Sequence, residues 1–293
     1  VNLILTVLEI VAPVFLVAGV GFAWVKAGFE YRIQFVTRLG VNLAVPCLIF
    51  TALMKSDADL NELGRLTLAG FAGYLLIGAV GWSLLKLLKL DIRSYLAPFI
   101  FGNTGNLGVP MALFAFGQAG LDGAVVLLSI TALLSFTWGI WLVAGEGALG
   151  KMAQEPMIWA TLLGALFLAM GWETPGFVTD TLELIGQMAI PLMLLTLGVA
   201  VARLTPGRVV TAVGLSIVKF ALCALIGYAM ARAFGLSGAL FGVLVLQMAM
   251  PVGVSSYLLA EKYEADSGAV AGFVVVSTLV SVIGLPLLLT MLV

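Results

Sequence analysis

Gly102-Asn103-Thr104-Gly105-Asn106-Leu107-Gly108-Val109-Pro110 places three glycines, three polar side chains and a proline in the middle of an otherwise apolar run, 95–116. A run of about 20 apolar residues is long enough for a helix to span a bilayer's hydrocarbon core. Proline inside a helix removes one amide donor and clashes with the carbonyl four residues back. In lipid, backbone groups freed in this way need partners within the protein, so irregular backbone at that depth is tolerated where it lines an enclosed cavity. The segment therefore reads as a broken membrane helix beside a polar site.

The rest of the chain agrees with a membrane setting. Its 293 residues are 62% hydrophobic and 10% charged, with a mean hydropathy of +1.18, whereas a soluble domain carries about 25% charged residues. A net charge of −1 without a basic cluster excludes a nucleic-acid partner. No histidine is present, which removes the commonest general base and metal ligand. Cys47 and Cys223 lie in apolar runs and read as packing residues. No cofactor and no metal site are expected.

Ten apolar runs are long enough to span: 2–25, 35–54, 66–88, 95–116, 123–144, 156–172, 178–202, 208–231, 237–260 and 268–292. The first lacks a basic leader and carries Glu9, so it reads as a true helix and not a cleaved signal. The chain starts at Val1, not Met, and is expected to be trimmed or processed. Around the loops after odd-numbered runs stand Lys26, Arg32, Arg38, Lys86, Lys89, Arg93, Lys151, Arg203, Arg208 and Lys262, against Lys55, Arg65 and Arg232 on the other side. The positive-inside rule then puts the odd loops in the cytoplasm and both termini outside a cytoplasmic (inner) membrane.

The motif around Pro110 recurs. Asn42-Leu43-Ala44-Val45-Pro46, Asn106-Leu107-Gly108-Val109-Pro110, Gln187-Met188-Ala189-Ile190-Pro191 and Gln247-Met248-Ala249-Met250-Pro251 share an amide residue four positions before proline. From 42 to 187 the offset is 145, and from 106 to 247 it is 141. Five runs per half make the second half enter the membrane upside down. The expected fold is all-α and integral to the membrane, with ten helices in two inverted five-helix repeats. The boundaries are 1–145 and 156–293, joined by a short cytoplasmic linker 146–155, with helices four and nine broken. Such repeats are built around a midplane site with alternating access.

Half-helix N-termini meeting at two breaks would present free N–H groups and positive dipole ends to an anion. Asn103, Thr104, Asn106 and Gln247 are candidate substrate ligands beside the breaks marked by Pro110 and Pro251. Asn42 and Gln187, with Pro46 and Pro191, either line the same cavity or mark kinks. Intramembrane charges are site candidates because their burial is expensive. Lys219 could neutralise an anion, pair with Glu9 or Glu183, or take the place of a coupling cation. Glu9 and Glu183 could carry a coupling proton. Ser277, Thr278 and Ser281 could bond between helices or coordinate a cation, so coupling to H+ or Na+ is left open.

The span-four segment resembles the fourth-helix signature of the auxin efflux carrier family, and Met250-Pro251 to Ser256, Ser277 to Ser281 and Pro286 are similar to that family's C-terminal region. The resemblance covers essentially the whole chain. It implies ten helices in inverted repeats, a scaffold domain and a transport domain that each take helices from both repeats, and broken helices crossing at the substrate. That family includes plant auxin carriers and bacterial permeases for malonate, malate and related carboxylates, and the resemblance does not extend to an auxin-like cargo. Asn106 and Gln247 match the family's crossover positions, though glutamine replaces the asparagine of plant carriers. The long cytoplasmic loop of many plant members is reduced to Gly145–Glu155, as in a short bacterial member.

The expected function is secondary transport of a small organic anion, with an anion channel or a transporter-like ligand sensor as alternatives. Intramembrane catalysis is disfavoured: a Ser–His dyad is impossible, and each aspartate falls in or near a loop. The expected partners are the anion and the bilayer, and association as a homodimer is left open.

Overall fold

A computed structural model describes residues 3–56, 59–144 and 156–292. The expected linker, with Lys151, lies outside the described residues. Among them, all regular structure is helical apart from one isolated β-bridge. The helices are α1 (Leu3–Lys26), α2 (Ile33–Leu39), α3 (Val45–Met54), α4 (Leu60–Leu87), α5 (Ile92–Ile100), α6 (Val109–Leu134), α7 (Ile140–Ala144) and α8 (Pro156–Met170). The chain continues with α9 (Gly176–Gly186), α10 (Ala189–Arg203), α11 (Val209–Ala233), α12 (Gly238–Met248), α13 (Val254–Lys262) and α14 (Ser267–Leu292).

Starts and stops follow local chemistry. Asp59 caps α4 by accepting from Asn61 N–H at 3.0 Å, and Asp91 caps α5 by accepting from Ser94 N–H at 3.0 Å; both supply acceptors to amides that a first turn leaves unpaired. π-helical turns at Gly40–Ala44 and Thr104–Gly108 immediately precede Pro46 and Pro110. The cause is the proline: a widened turn relieves its clash with the carbonyl four residues back, that of Asn42 and of Asn106. The first two copies of the motif thus mark π turns that keep a rod continuous. The other two mark interruptions: Gln187 and Met188 separate α9 from α10, and residues 249–253 separate α12 from α13.

Among the described residues, seven helices are long and apolar enough to cross a membrane, and Pro156–Met170 and Gly238–Met248 are shorter apolar helices. The 40-residue run Thr104–Val143 is not straight, because Gly117 takes φ 63° and ψ −147° within α6. Only glycine adopts such a conformation without strain, and it falls in the gap between the fourth and fifth apolar runs of the sequence. Leu16, Phe35, Leu75, Leu87, Val210, Ile283 and Met291 face outward, a surface suited to lipid tails rather than to water.

The helices gather in two groups that mix the two halves of the chain. α1 lies along α10, and α3 packs on α8 and α9. α11 packs on α4, α12 and α14, while α12 packs on α6 and α5 lies on α4. The α1–α10 contact is backbone to backbone: a Cβ on Gly21 would lie 2.2 Å from Leu195 O, and one on Gly198 would lie 1.8 Å from Ala18 O. Small residues allow such approach, and close packing is what drives helices together in lipid.

Candidate functional site

A further interruption, residues 101–103 between α5 and the π turn at Thr104, touches the one at 249–253. Gly102 and Val252 form the antiparallel bridge, with Asn103 N–H donating to Pro251 O at 2.6 Å and Gly253 N–H to Phe101 O at 3.3 Å. A Cβ on Gly102 would lie 3.0 Å from Met250 O, so the strands meet at the limit of approach. Val252 N–H donates to Ser277 Oγ at 3.0 Å, and that hydroxyl donates to Val274 O at 3.1 Å. Ser277 thus ties the break to α14. Thr278 and Ser281 bond backward within α14, to Val274 O and Thr278 O.

Four half-helix ends converge here. α5 and α12 arrive with their C-termini; the turn beginning at Thr104 and the nine-residue α13 leave with their N-termini. The first amides of each departing helix have no intrahelical carbonyl, and each N-terminus carries roughly half a positive charge. Asn103 O accepts from Leu107 and Gly108 N–H at 3.3 and 3.0 Å. The residue is 5% exposed, and its Nδ2 has no hydrogen-bond partner.

A cavity of about 740 Å³ opens from this crossing. Asn42, Asn103, Thr104 and Asn106 line it with Ser255 and Tyr257; its walls include Phe101, Leu128, Met157, Met193 and Leu258. Arg38, Arg203 and Lys262, all exposed, stand in the lining at the ends of their helices. Arg203 Nη2 donates to Tyr31 O at 2.6 Å, and Tyr31 Oη lies 2.8 Å from Thr196 Oγ1. Burial raises the Tyr31 phenol above its ordinary pKa, so it stays a neutral hydrogen-bonding group.

The other candidates lie elsewhere. Gln247 is buried outside the cavity lining, with neither side-chain atom hydrogen-bonded. Gln187 is exposed at the end of α9. Pro46 and Pro110 begin α3 and α6, Pro191 lies in the first turn of α10, and Pro251 lies within the break itself. Glu9 is exposed on α1. Glu183 pairs with Lys55. Lys219 pairs with neither acid; its Nζ donates to Phe99 O at 2.9 Å. The cavity's three cations carried a sequence signal, but only as votes for orientation. What the sequence did not expose was Asp122, buried on α6, which accepts from Ser56 Oγ and, at 2.8 Å, from Gln118 Nε2.

A multi-pass helical protein with two broken segments crossing at a polar-headed, apolar-walled cavity has the architecture of a membrane carrier. Comparison with known proteins gives the family. The model described as "Membrane transport protein" matches residues 6–155 and 147–289, and the chain belongs to this family, that of the auxin efflux carriers. It is 28% identical over 265 residues to an uncharacterized transporter of Methanothermobacter thermautotrophicus, covering 85% of this chain and 86% of the relative. A Rhizobium meliloti protein provisionally named a malonate transporter is 24% identical over 265 residues, 83% of this chain and 81% of that one. A rice (Oryza sativa subsp. japonica) protein provisionally named auxin efflux carrier component 5c is 27% identical over 149 residues, 47% of this chain and 39% of the relative. Membrane transporters, not enzymes, make up this family.

Proposed function

We propose that this transporter moves a small organic anion, a carboxylate, across the cytoplasmic membrane by alternating access, binding it where the two breaks cross. The observation that carries the reading is Asn103. A buried donor without a partner is costly, and here it belongs to a residue in the lining of a cavity supplied by two helix N-termini and flanked by three cations. A carboxylate oxygen is the acceptor such a site lacks. Thr104, Asn106 and Asn42 add neutral polar contacts, and the apolar walls take the body of the cargo. The malonate name of the Rhizobium relative makes small dicarboxylates the first compounds to try.

In this reading the chain has ten spans: the two shorter apolar helices count, Thr104–Val143 divides at Gly117, and α5 joins the segment before Gly117 as the broken fourth span. α1 to α3 and α8 to α10 form a scaffold, and the remaining helices form the moving domain that carries both breaks. The cations in the cavity lining belong to the Lys/Arg-rich side, so the cavity opens to the cytoplasm and both termini lie outside.

The test is a thermal-stability screen of purified protein with mono- and dicarboxylates, repeated on Asn103→Ala and Asn106→Ala. A ligand at a hundredfold excess over its Kd stabilises by about 2.7 kcal/mol, a shift easily resolved. A carboxylate response in wild type that both variants lose while remaining folded supports the site. Stabilisation by amines or neutral solutes alone, or an undiminished response in both variants, refutes it.

A further inference from the structure

The break leaves α5 with an incomplete C-terminus. In an unbroken helix Asn103 N–H would bond Phe99 O; here it bonds Pro251 O at 2.6 Å. Phe99 O instead accepts from Lys219 Nζ at 2.9 Å, and the ammonium also stands 5.9 Å from the centroid of the Phe99 ring. Lys219 comes from the interior of α11 and is 1% exposed. A buried ammonium is tolerated only against compensating charge or dipoles. The C-terminal pole of a half-helix supplies about half a negative charge. Freed backbone carbonyls and half-helix C-termini at such breaks are the groups that hold a coupling cation when a transporter uses one.

We infer that Lys219 is a tethered cation: its ammonium occupies, on the chain's own side chain, the place at the α5 terminus where a free cation would otherwise complete the break. The transporter then needs no Na+ to hold its crossing together. Removing the side chain uncovers a carbonyl site that a small free cation can fill. The role is positional, since Lys219 sets the α5 end of the bridge from which Asn103 projects and does not itself line the cavity.

The first test involves no carboxylate, so it stands or falls apart from the proposed function. Wild type, Lys219→Ala and Lys219→Met are melted in choline chloride and in equimolar sodium, potassium, ammonium or methylammonium chloride. Wild type is expected to be indifferent to the exchange. Lys219→Ala should melt lower in choline and gain a saturable rise of about 2–4 °C with a small cation. Lys219→Met, which fills the space without charge, should not respond. A folded Lys219→Ala protein that distinguishes no small cation from choline overturns the proposal. Should neither variant fold, wild type decides: a saturable, Na+-specific rise in its own melting temperature overturns the tethered cation, and indifference to the exchange upholds it.

Discussion

Gln247 lies side-on against the backbone of Gly108: a Cβ built on Gly108 would fall 2.2 Å from Gln247 Oε1 and 2.8 Å from its Cδ. Gly108 belongs to the second copy of the amide-to-proline motif and Gln247 to the fourth, so two copies 141 residues apart in register meet where the broken segments cross. The missing side chain at 108 makes the room that the glutamine fills.

Gly108→Ala should therefore damage the crossing. The added methyl must displace the buried Gln247 amide, and overpacking a buried contact costs about 1–3 kcal/mol. The expected result is a drop of several degrees in melting temperature together with loss of carboxylate binding. A companion Gln247→Ala change should recover much of the stability by returning the volume. Thermal melts of the two single variants and the double variant measure the coupling, and a strictly additive double would rule out this contact as the cause.

Gln247→Met tests the glutamine from the other side. Neither amide atom has a partner in a site 1% exposed. An unpaired buried polar group costs about 1–3 kcal/mol, and replacing it by an apolar group of similar shape is neutral or stabilising. The variant should melt at or above wild type and keep its carboxylate response. Loss of that response without loss of stability would make Gln247 a substrate contact after all.

The sequence made much of this legible. Whereas the kink at Gly117 and the π turn at Ser135–Gly139 carry no proline, the four motif prolines each fell at or just after a helix discontinuity, because a ring without an N–H must disturb the turn before it. They did not show which kind of discontinuity. Pro46 and Pro110 follow π turns, whereas the chain actually opens at 101–103, before Asn106, and at 249–253, around Pro251. The second and fourth motifs therefore do not occupy matching places in their two breaks: one follows its break and the other lies in it. That difference depends on Asn103 and Gly253 finding backbone partners across the crossing, a long-range pairing that no local pattern encodes. It also explains why Asn106 reaches the cavity and Gln247 does not. Lys219 was visible as a buried charge, but its partner is a backbone carbonyl, which has no signature in side-chain identity.

The cavity's cations offer a third prediction. Arg38 and Lys262 are exposed in the lining, and altering them leaves the Arg203–Tyr31 bond untouched. Exposed charges act over roughly a Debye length, about 10 Å at 0.1 M salt, and attract anions before any contact forms. The Arg38→Gln, Lys262→Gln double variant should bind a carboxylate about 2–10-fold more weakly at low salt. It should converge with wild type as salt is raised. Affinities measured across a salt series check this, and parallel curves for the two proteins would deny the cations any electrostatic part.

Asn103→Asp isolates charge from shape at the crossing. The two side chains are nearly isosteric, the Asn103 N–H bond to Pro251 O is a backbone contact, and Nδ2 has no partner to lose, so the bridge should survive. What changes is that a donor on a residue of the cavity lining becomes an anionic acceptor. In a site of low dielectric, like charges a few ångströms apart repel by several kcal/mol, which is enough to abolish carboxylate binding. Asn103→Ser, smaller but still able to donate, should retain a weakened response. The expected order of carboxylate-induced stabilisation is wild type, then the serine variant, then none for the aspartate variant, each compared with its own ligand-free melt. If the aspartate variant binds the carboxylate as well as wild type does, the cargo's charged group does not sit at Asn103, and the apolar walls rather than the crossing must hold the molecule.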